Sequence, residues 1–597
     1  MKRNVRYCLF FLLVLYATAG AQAAPDLRVG AAFHAFEHLH SFSHQSEAAA
    51  ACGVTVIYAS GLGGDGYNGL PPADTWAERL NAEAAYAKQA KAQGIKTVLG
   101  YLCATSIVGI DTFGVNWTPE QRAEFGSTPD TWLQQDVYGK PLPSWYGGQY
   151  KPACMNNPDW RAYEKYMVRK QLETGHDGIF FDNPTVHNQG CYCPHCMKGF
   201  AAFLRAEGET VEDGSLESLR KLAQDHASDF KRYRCTIARD FFKEIREYAR
   251  LINPHAVITA NNSLNAPGSF YSQCQGYAYN IYEMSKTEDF VVIEDTSTQP
   301  RVLQDGKVIE YGPTYAALQA IVHDKPLVAV TIAEGDYHTS AHLVQLAMAE
   351  AAAHKASYML WSTWPDDKRP GMIAAVRPYA DWLRSHTDVL NASTPRRDAC
   401  LLLPFQRWLQ TEDCVALKLA ARLKRANIQF EVLSEDDFTA ARAGAARVTL
   451  LESRDVASEP AKQTLQSLEQ AGKPVVTAES PRWFESLQKA IGSPSLTIDG
   501  PATVRGVVRD TKTSTVVHVY NLNVERLSSF EDKITPAENL RVSVLVPFAQ
   551  VKSVQFSSAD PETPSREIEF AATAEGSGSR IEVTIPKIEV SAMIVIE

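Results

Sequence analysis

"GIFFDNPTVHNQGCYCPHC", Gly178 to Cys196, is a short apolar run that stops at Asp182-Asn183, meets Pro184, and then places three cysteines and a histidine within six residues. Its first part, "GIFFDN", reads as a strand buried on both faces, the texture of a parallel sheet. Seven other runs share that texture: "LRVGAAFHAF" (Leu27 to Phe36), "VTVIYAS" (Val54 to Ser60), "IKTVLGYLCA" (Ile95 to Ala104), "AVITANN" (Ala256 to Asn262), "FVVIEDT" (Phe290 to Thr296), "LVAVTIAEG" (Leu327 to Gly335) and "ASYMLWSTW" (Ala356 to Trp364). Amphipathic stretches separate most of them, such as "TWAERLNAEAAYAKQAKAQG" before the third and "DFKRYRCTIARDFFKEIREYARLINP" before the fifth. Eight such βα repeats predict an α/β chain that opens with a (β/α)8 TIM barrel, its longest inserted loop following strand three.

Beyond the barrel the texture changes twice. "ACLLLPF", "CVALKLAARLKRANI", "QFEVLSEDD" and "RVTLLES" predict a small doubly wound, glutamine amidotransferase-like α/β domain over residues 395–497. No cysteine follows "RVTLLES", where a nucleophile of that type would stand, so the domain reads as structural. From 498 to 597, runs such as "STVVHVYNLN", "LRVSVLVPF" and "RIEVTIP" alternate with period two and predict an antiparallel β-sandwich. The barrel then spans 24–394. Residues 1–23, with Lys2, Arg3 and Arg6 before an apolar stretch and small residues at Ala21 and Ala23, read as a secretory signal. Export to a periplasmic or extracellular space follows from that reading. Cys8 lies inside the apolar stretch, which argues against a lipid anchor, and no later run is long enough to span a membrane. A formal net charge of −10 with no basic run excludes a phosphate-backbone partner and suits a neutral, polar substrate.

In a barrel of this kind the reacting groups sit where strands end, because the loops there build the pocket. The strand ends offer three leading carboxylates, Asp182, Glu294 and Glu334, a pattern suited to glycoside hydrolysis by paired carboxyl groups. Asp295 follows Glu294 and points to the opposite face of a regular strand. Tyr58, Tyr101, Trp361 and Trp364 suit sugar faces, and His34, Asn183, Asn261 and Asn262 suit sugar hydroxyls. Asp177 begins strand four and reads as structural. Cys191, Cys193 and Cys196, with Cys154 upstream in "KPACMNNPDWRAY", offer four thiolates for a tetrahedral structural Zn2+ site. A disulfide from Cys154 to one of the three is the alternative in an exported protein. His195 within the loop reads as a bystander.

"ACMNNPDWRAY", "FFDNP" and "CYCPHCMKGFAAFL", in this order, resemble the GH42-type β-galactosidases. The resemblance implies a barrel followed by a trimerisation domain and a β-sandwich, hence a homotrimer, and places Cys154, Cys191, Cys193 and Cys196 at that family's zinc ligands. One departure matters. Strand four of that family ends Asp-Asn-Glu, the glutamate being the acid/base, whereas here Pro184 takes that place. The stretch is closer to the hypothetical glycosyl hydrolases (GHL6-type) related to GH42 and to α-galactosidase-like barrels. In those barrels the aspartate ending strand four is the nucleophile and strand six supplies the acid/base, which implies Asp182 and Glu294 for these roles. Glu334 falls where GH42-type enzymes hold their nucleophile. The expectation is an exported glycoside hydrolase (EC 3.2.1.-), retaining, acting on a carbohydrate. A carbohydrate-binding protein on a degenerate hydrolase barrel is the alternative that Pro184 favours.

Overall fold

The structure, a computed structural model, describes residues 29–32, 45–59, 61–144, 146–212, 214–262, 269–295, 299–332, 340–361, 369–412, 414–528 and 531–597. The signal-like segment 1–23 lies outside them. Eight parallel strands form one sheet: β1 (Val29–Ala32), β2 (Val56–Ala59), β3 (Thr97–Cys103), β4 (Gly178–Asp182), β5 (Val257–Ala260), β6 (Val291–Asp295), β7 (Leu327–Ile332) and β8 (Ala356–Trp361). Their order is β5-β4-β3-β2-β1-β8-β7-β6, and a parallel bridge between Asn261 and Val292 joins the two ends, β5 and β6. Each described strand falls within the run predicted for it.

Helices connect the strands, and the sequence shows why. In the helix Ala227–Ile252, the buried positions Phe230, Tyr233, Ile237, Phe241, Ile245 and Ala249 recur every three or four residues and make one apolar stripe. Two rings of that helix, Phe241 and Phe242, stand 5.9 and 5.4 Å from the Phe181 ring of β4. Truncating Phe241 to Ala removes a fully buried ring and is worth about 3–5 kcal/mol. The opposite face of the strands packs a separate cluster that includes Val56, Tyr58, Leu99, Tyr101, Phe180, Val292, Val328, Val330 and Met359. Phe180 and Phe181 therefore face opposite ways, as period two requires. At the start of β4, a Cβ on Gly178 would stand 2.0 Å from the Val257 carbonyl oxygen, so no side chain fits there.

The middle region forms a four-stranded parallel sheet in the order Phe430–Ser434, Ala399–Leu403, Val448–Leu451, Val475–Thr477. The C-terminal region carries a six-stranded and a four-stranded antiparallel sheet around one apolar cluster that includes Val508, Val517, Val519, Leu540, Val542, Val544 and Ile585. Thr394–Pro395 joins the six-stranded sheet by pairing with Asp510 and Arg509. Among the described residues, no helix is long and apolar enough to cross a membrane.

Candidate active site

The inward-facing register of β4, β5 and β6 brings three polar side chains together. Asp182 stands two residues beyond Phe180, and Glu294 two beyond Val292, so both continue the interior face at the ends of their strands. Asn261, just past β5, lies between them. Its Nδ2 donates to Glu294 Oε1 at 2.8 Å and to Asp182 Oδ1 at 3.2 Å. Two oxygens that share one nitrogen at these distances stand no more than about 6 Å apart, the sum of the two lengths.

Asp182 is held by donors on every side. Besides Asn261, it accepts from Tyr101 Oη at 2.7 Å, from the Asn183 backbone N at 2.9 Å and from Asn183 Nδ2 at 3.1 Å. Asn183 reaches its neighbour twice because its φ is 51°, a left-handed conformation that asparagine tolerates better than most residues. Thr105 Oγ1 donates to the Asn183 carbonyl at 2.6 Å, and Tyr146 Oη donates to Asn183 Oδ1 at 2.8 Å, which orients its amide toward Asp182.

Glu294 is different. It accepts from Asn261, and burial, followed by the neighbouring Asp182 charge, pushes its carboxyl up to about 7 despite the hydrogen bond. Near neutrality it exchanges its proton. Tyr58 is buried, stacks on Phe180 at 4.1 Å, and makes no hydrogen bond through its hydroxyl among the described residues. Burial, then the charges of Glu294 and Asp182, hold this phenol well above its usual range. It is a donor only.

Several expected site residues play another part. Tyr101 is 3% exposed and serves as a hydrogen-bond donor to Asp182, with its ring inside the interior cluster. Asn183 spends both ends of its amide on Asp182 and Tyr146. Asn262 does not join the site. It follows Asn261 and so faces the other way, where its Nδ2 donates to the carbonyls of Val292 and Ala260 and approaches the buried Glu288. Asp177 accepts from Lys91 and from the Val98 backbone, far from Asp182 along the strand. His34, Glu334 and Trp364 lie outside the described residues, as do the side chains of Asp295 and Trp361. Tyr146, half exposed, and Tyr279, whose hydroxyl meets Thr185 Oγ1 at 2.8 Å, are additions that strand periodicity does not reach.

Comparison with known proteins bears on the fold. No family model and no curated protein matches the sequence. Among solved structures, the α-L-fucosidase isoenzyme 2 from Paenibacillus thiaminolyticus is similar over 96% of this chain and 99% of its own, with 14% identity and a TM-score of 0.65. A GH42 β-galactosidase from G. stearothermophilus is similar over 96% and 99%, with 10% identity and a TM-score of 0.61. The chain has a glycoside hydrolase fold. A cycloisomaltooligosaccharide glucanotransferase from Paenibacillus sp. shares it over 96% of this chain and 85% of that one, at 11% identity and a TM-score of 0.57.

The cysteine cluster lies on the loops beside β4. Cys154, Cys191, Cys193 and Cys196 are all buried, and their four sulfurs lie within 4.8 Å of one another. Cys154 Sγ stands 3.5 Å from Cys193 Sγ and 3.4 Å from Cys196 Sγ. A disulfide needs about 2.05 Å, and the four are free thiols. Tetrahedral zinc with Zn–S near 2.3 Å separates its sulfurs by about 3.8 Å, so the donor set fits such an ion. The neighbouring sequence builds the cradle: Asn157 caps the helix Pro158–Glu173, Cys193 caps Pro194–Ala206, and Asn156 Nδ2 donates to Cys196 Sγ at 3.4 Å. His195 is exposed and stays out of the cluster.

Proposed function

We propose that the protein is an exported retaining glycoside hydrolase whose parallel sheet closes as a (β/α)8 barrel, with Asp182 as nucleophile and Glu294 as acid/base. The observation that carries this is the Asn261 amide shared by the two carboxyl groups. Its two hydrogen bonds hold their nearest oxygens within about 6 Å, below the roughly 6.5–9.5 Å that leaves room for water in inverting enzymes. The environments divide the labour. Asp182, oriented by four donors, attacks the anomeric carbon as the glycosidic bond breaks, and Glu294 gives its proton to the leaving oxygen. In the second half Glu294 takes a proton from water, which displaces Asp182 and frees the sugar with its configuration retained. Pro184 is compatible with this reading, since β6 supplies the acid/base in place of the residue after Asn183.

We further propose that Cys154, Cys191, Cys193 and Cys196 hold a structural zinc ion. Four protein sulfurs complete a tetrahedral shell and leave no position for a reacting water, so the ion would stiffen the loops beside Asp182. The resemblance to GH42-type enzymes supports a trimer.

Chemical rescue tests the assignment. With an aryl glycoside carrying an activated leaving group, azide added to E294A should yield a glycosyl azide of retained configuration, and azide added to D182A one of inverted configuration. The same configuration from both variants would overturn the roles. Binding of glycans with no wild-type turnover on any of a broad panel would favour the carbohydrate-binding reading.

A further inference from the structure

Away from Asp182, the described residues line a cavity of about 390 Å³ where three regions meet. Its wall includes His354, just past the helix Ala341–Ala353, Lys424 in the helix Val415–Arg425, and Arg509 in the strand Val504–Asp510 of the C-terminal sheet. Lys424 is only 5% exposed. Its ammonium makes no hydrogen bond or ion pair among the described residues and stands 5.1 Å from the centre of the Phe430 ring.

The buried charges around it are already engaged. Arg505 donates to Glu310 at 2.8 Å, Arg301 pairs with Glu350 at 2.8 Å, and His354 Nε2 meets Tyr520 Oη at 3.1 Å. On the cavity's outer side Glu431 is paired by Arg397 and Arg442, Asp437 by Arg442, and Asp436 accepts from Tyr282 Oη, while the exposed Asp324 makes no such contact among the described residues. Arg509 donates to Ser393 Oγ at 2.9 Å. Burial holds Lys424 down to about 7, against the pull of Glu310 and Glu350 and with the push of Arg505 and Arg509. A substantial fraction is charged at neutral pH. An ammonium buried without a partner is costly, and an anion beside it removes that cost.

We infer that this cavity binds a small oxyanion, a phosphate or carboxylate group, through Lys424, with Arg509 and His354 beside it. Lysine binds such groups as a compact point charge, and the volume lies in the range of small-molecule sites. The ligand would touch the helices of the barrel region, the middle region and the C-terminal sheet at once, and so tie the three together. This inference is independent of the glycosidase reading.

The full-length protein can be titrated calorimetrically at about pH 6.5 with sodium phosphate or sodium glucuronate, up to about 20 mM, against sodium chloride of equal ionic strength. Saturable binding of one equivalent is expected for at least one of them, with a rise of a few degrees in Tm. Phosphate alone, or glucuronate alone, identifies which oxyanion chemistry the site takes. K424M should abolish binding, K424R should keep it, and D182N should bind as the wild type does. Absence of binding to the wild type, unchanged binding by K424M, or loss of binding in D182N would overturn the inference. If K424M fails to fold, the wild-type titration and K424R decide.

Discussion

Asp182 and Cys193 belong to one stretch of chain and to two unlike clusters. Asp182 is partly exposed and is fixed by four donors, with one neighbour, Glu294, whose proton is mobile near neutral pH. Cys193 is buried among three other thiols of its own kind, a set complete in itself. An incomplete shell can act on a substrate, whereas a closed shell can only hold the chain in place. The two clusters should therefore fail differently when broken.

The largest effect belongs to Asp182. D182N preserves shape and removes the proposed nucleophile, so turnover should fall by on the order of 10⁴-fold or more, with the unfolding midpoint little changed. Steady-state kinetics beside a thermal melt check this. Retention of more than a tenth of wild-type activity would remove Asp182 from the chemistry.

E294Q comes next, with a loss of about 10²–10⁴-fold on substrates with poor leaving groups and much less on activated ones. The pH dependence follows from the raised carboxyl. The general acid works protonated, so kcat/KM of the wild type should fall as pH rises through about 7, and that limb should vanish in E294Q with an activated substrate. Stability follows pH in the same direction. A carboxyl raised on folding binds its proton more tightly in the native state, so its favourable contribution is full below the unfolded value and is lost as pH rises through about 7. E294Q should then be more stable than the wild type at alkaline pH, by about 1–3 kcal/mol. Equal stability at both ends of the pH range would contradict this.

C193S should reverse the pattern. It should lose bound zinc and unfold at a clearly lower temperature, while the fraction that remains folded turns over at nearly the wild-type rate. Metal analysis with activity normalised to folded protein distinguishes the cases. Zinc loss without destabilisation, or an abolished rate in a fully folded variant, would break the contrast between the two clusters.

Much of this arrangement was legible before any coordinates. The apolar runs located all eight strands because parallel strands buried on both faces leave an unbroken hydrophobic signature. Asp182 and Glu294 are legible as carboxylates at strand ends, while the side chain of Asp295, expected on the opposite face, lies outside the described residues. Period two likewise sends Asn261 and Asn262 to opposite faces, so the expectation that both meet the substrate fails for Asn262. Alternation tells which face a residue takes but not how deep it lies, so Tyr101 read as a sugar platform although it is buried beneath Asp182. Tyr146 was missed because "PSWYGGQY" belongs to no periodic element. Its aromatic and glycine content was the available signal.

Tyr146 gives the smallest and most discriminating test. Its hydroxyl holds the Asn183 amide, which in turn holds Asp182, while its ring remains half exposed beside that chain of bonds. Two roles can therefore be tested apart, orientation of the carboxylate and contact of the exposed ring with a sugar face. Y146F removes the first alone and should lower kcat a few-fold with KM unchanged, since one hydrogen bond at a distance of two links is worth about 1 kcal/mol. Y146A removes both and should in addition raise KM. If Y146F and Y146A behave alike in kcat and KM, the ring does not touch substrate, and Tyr146 acts only through Asn183.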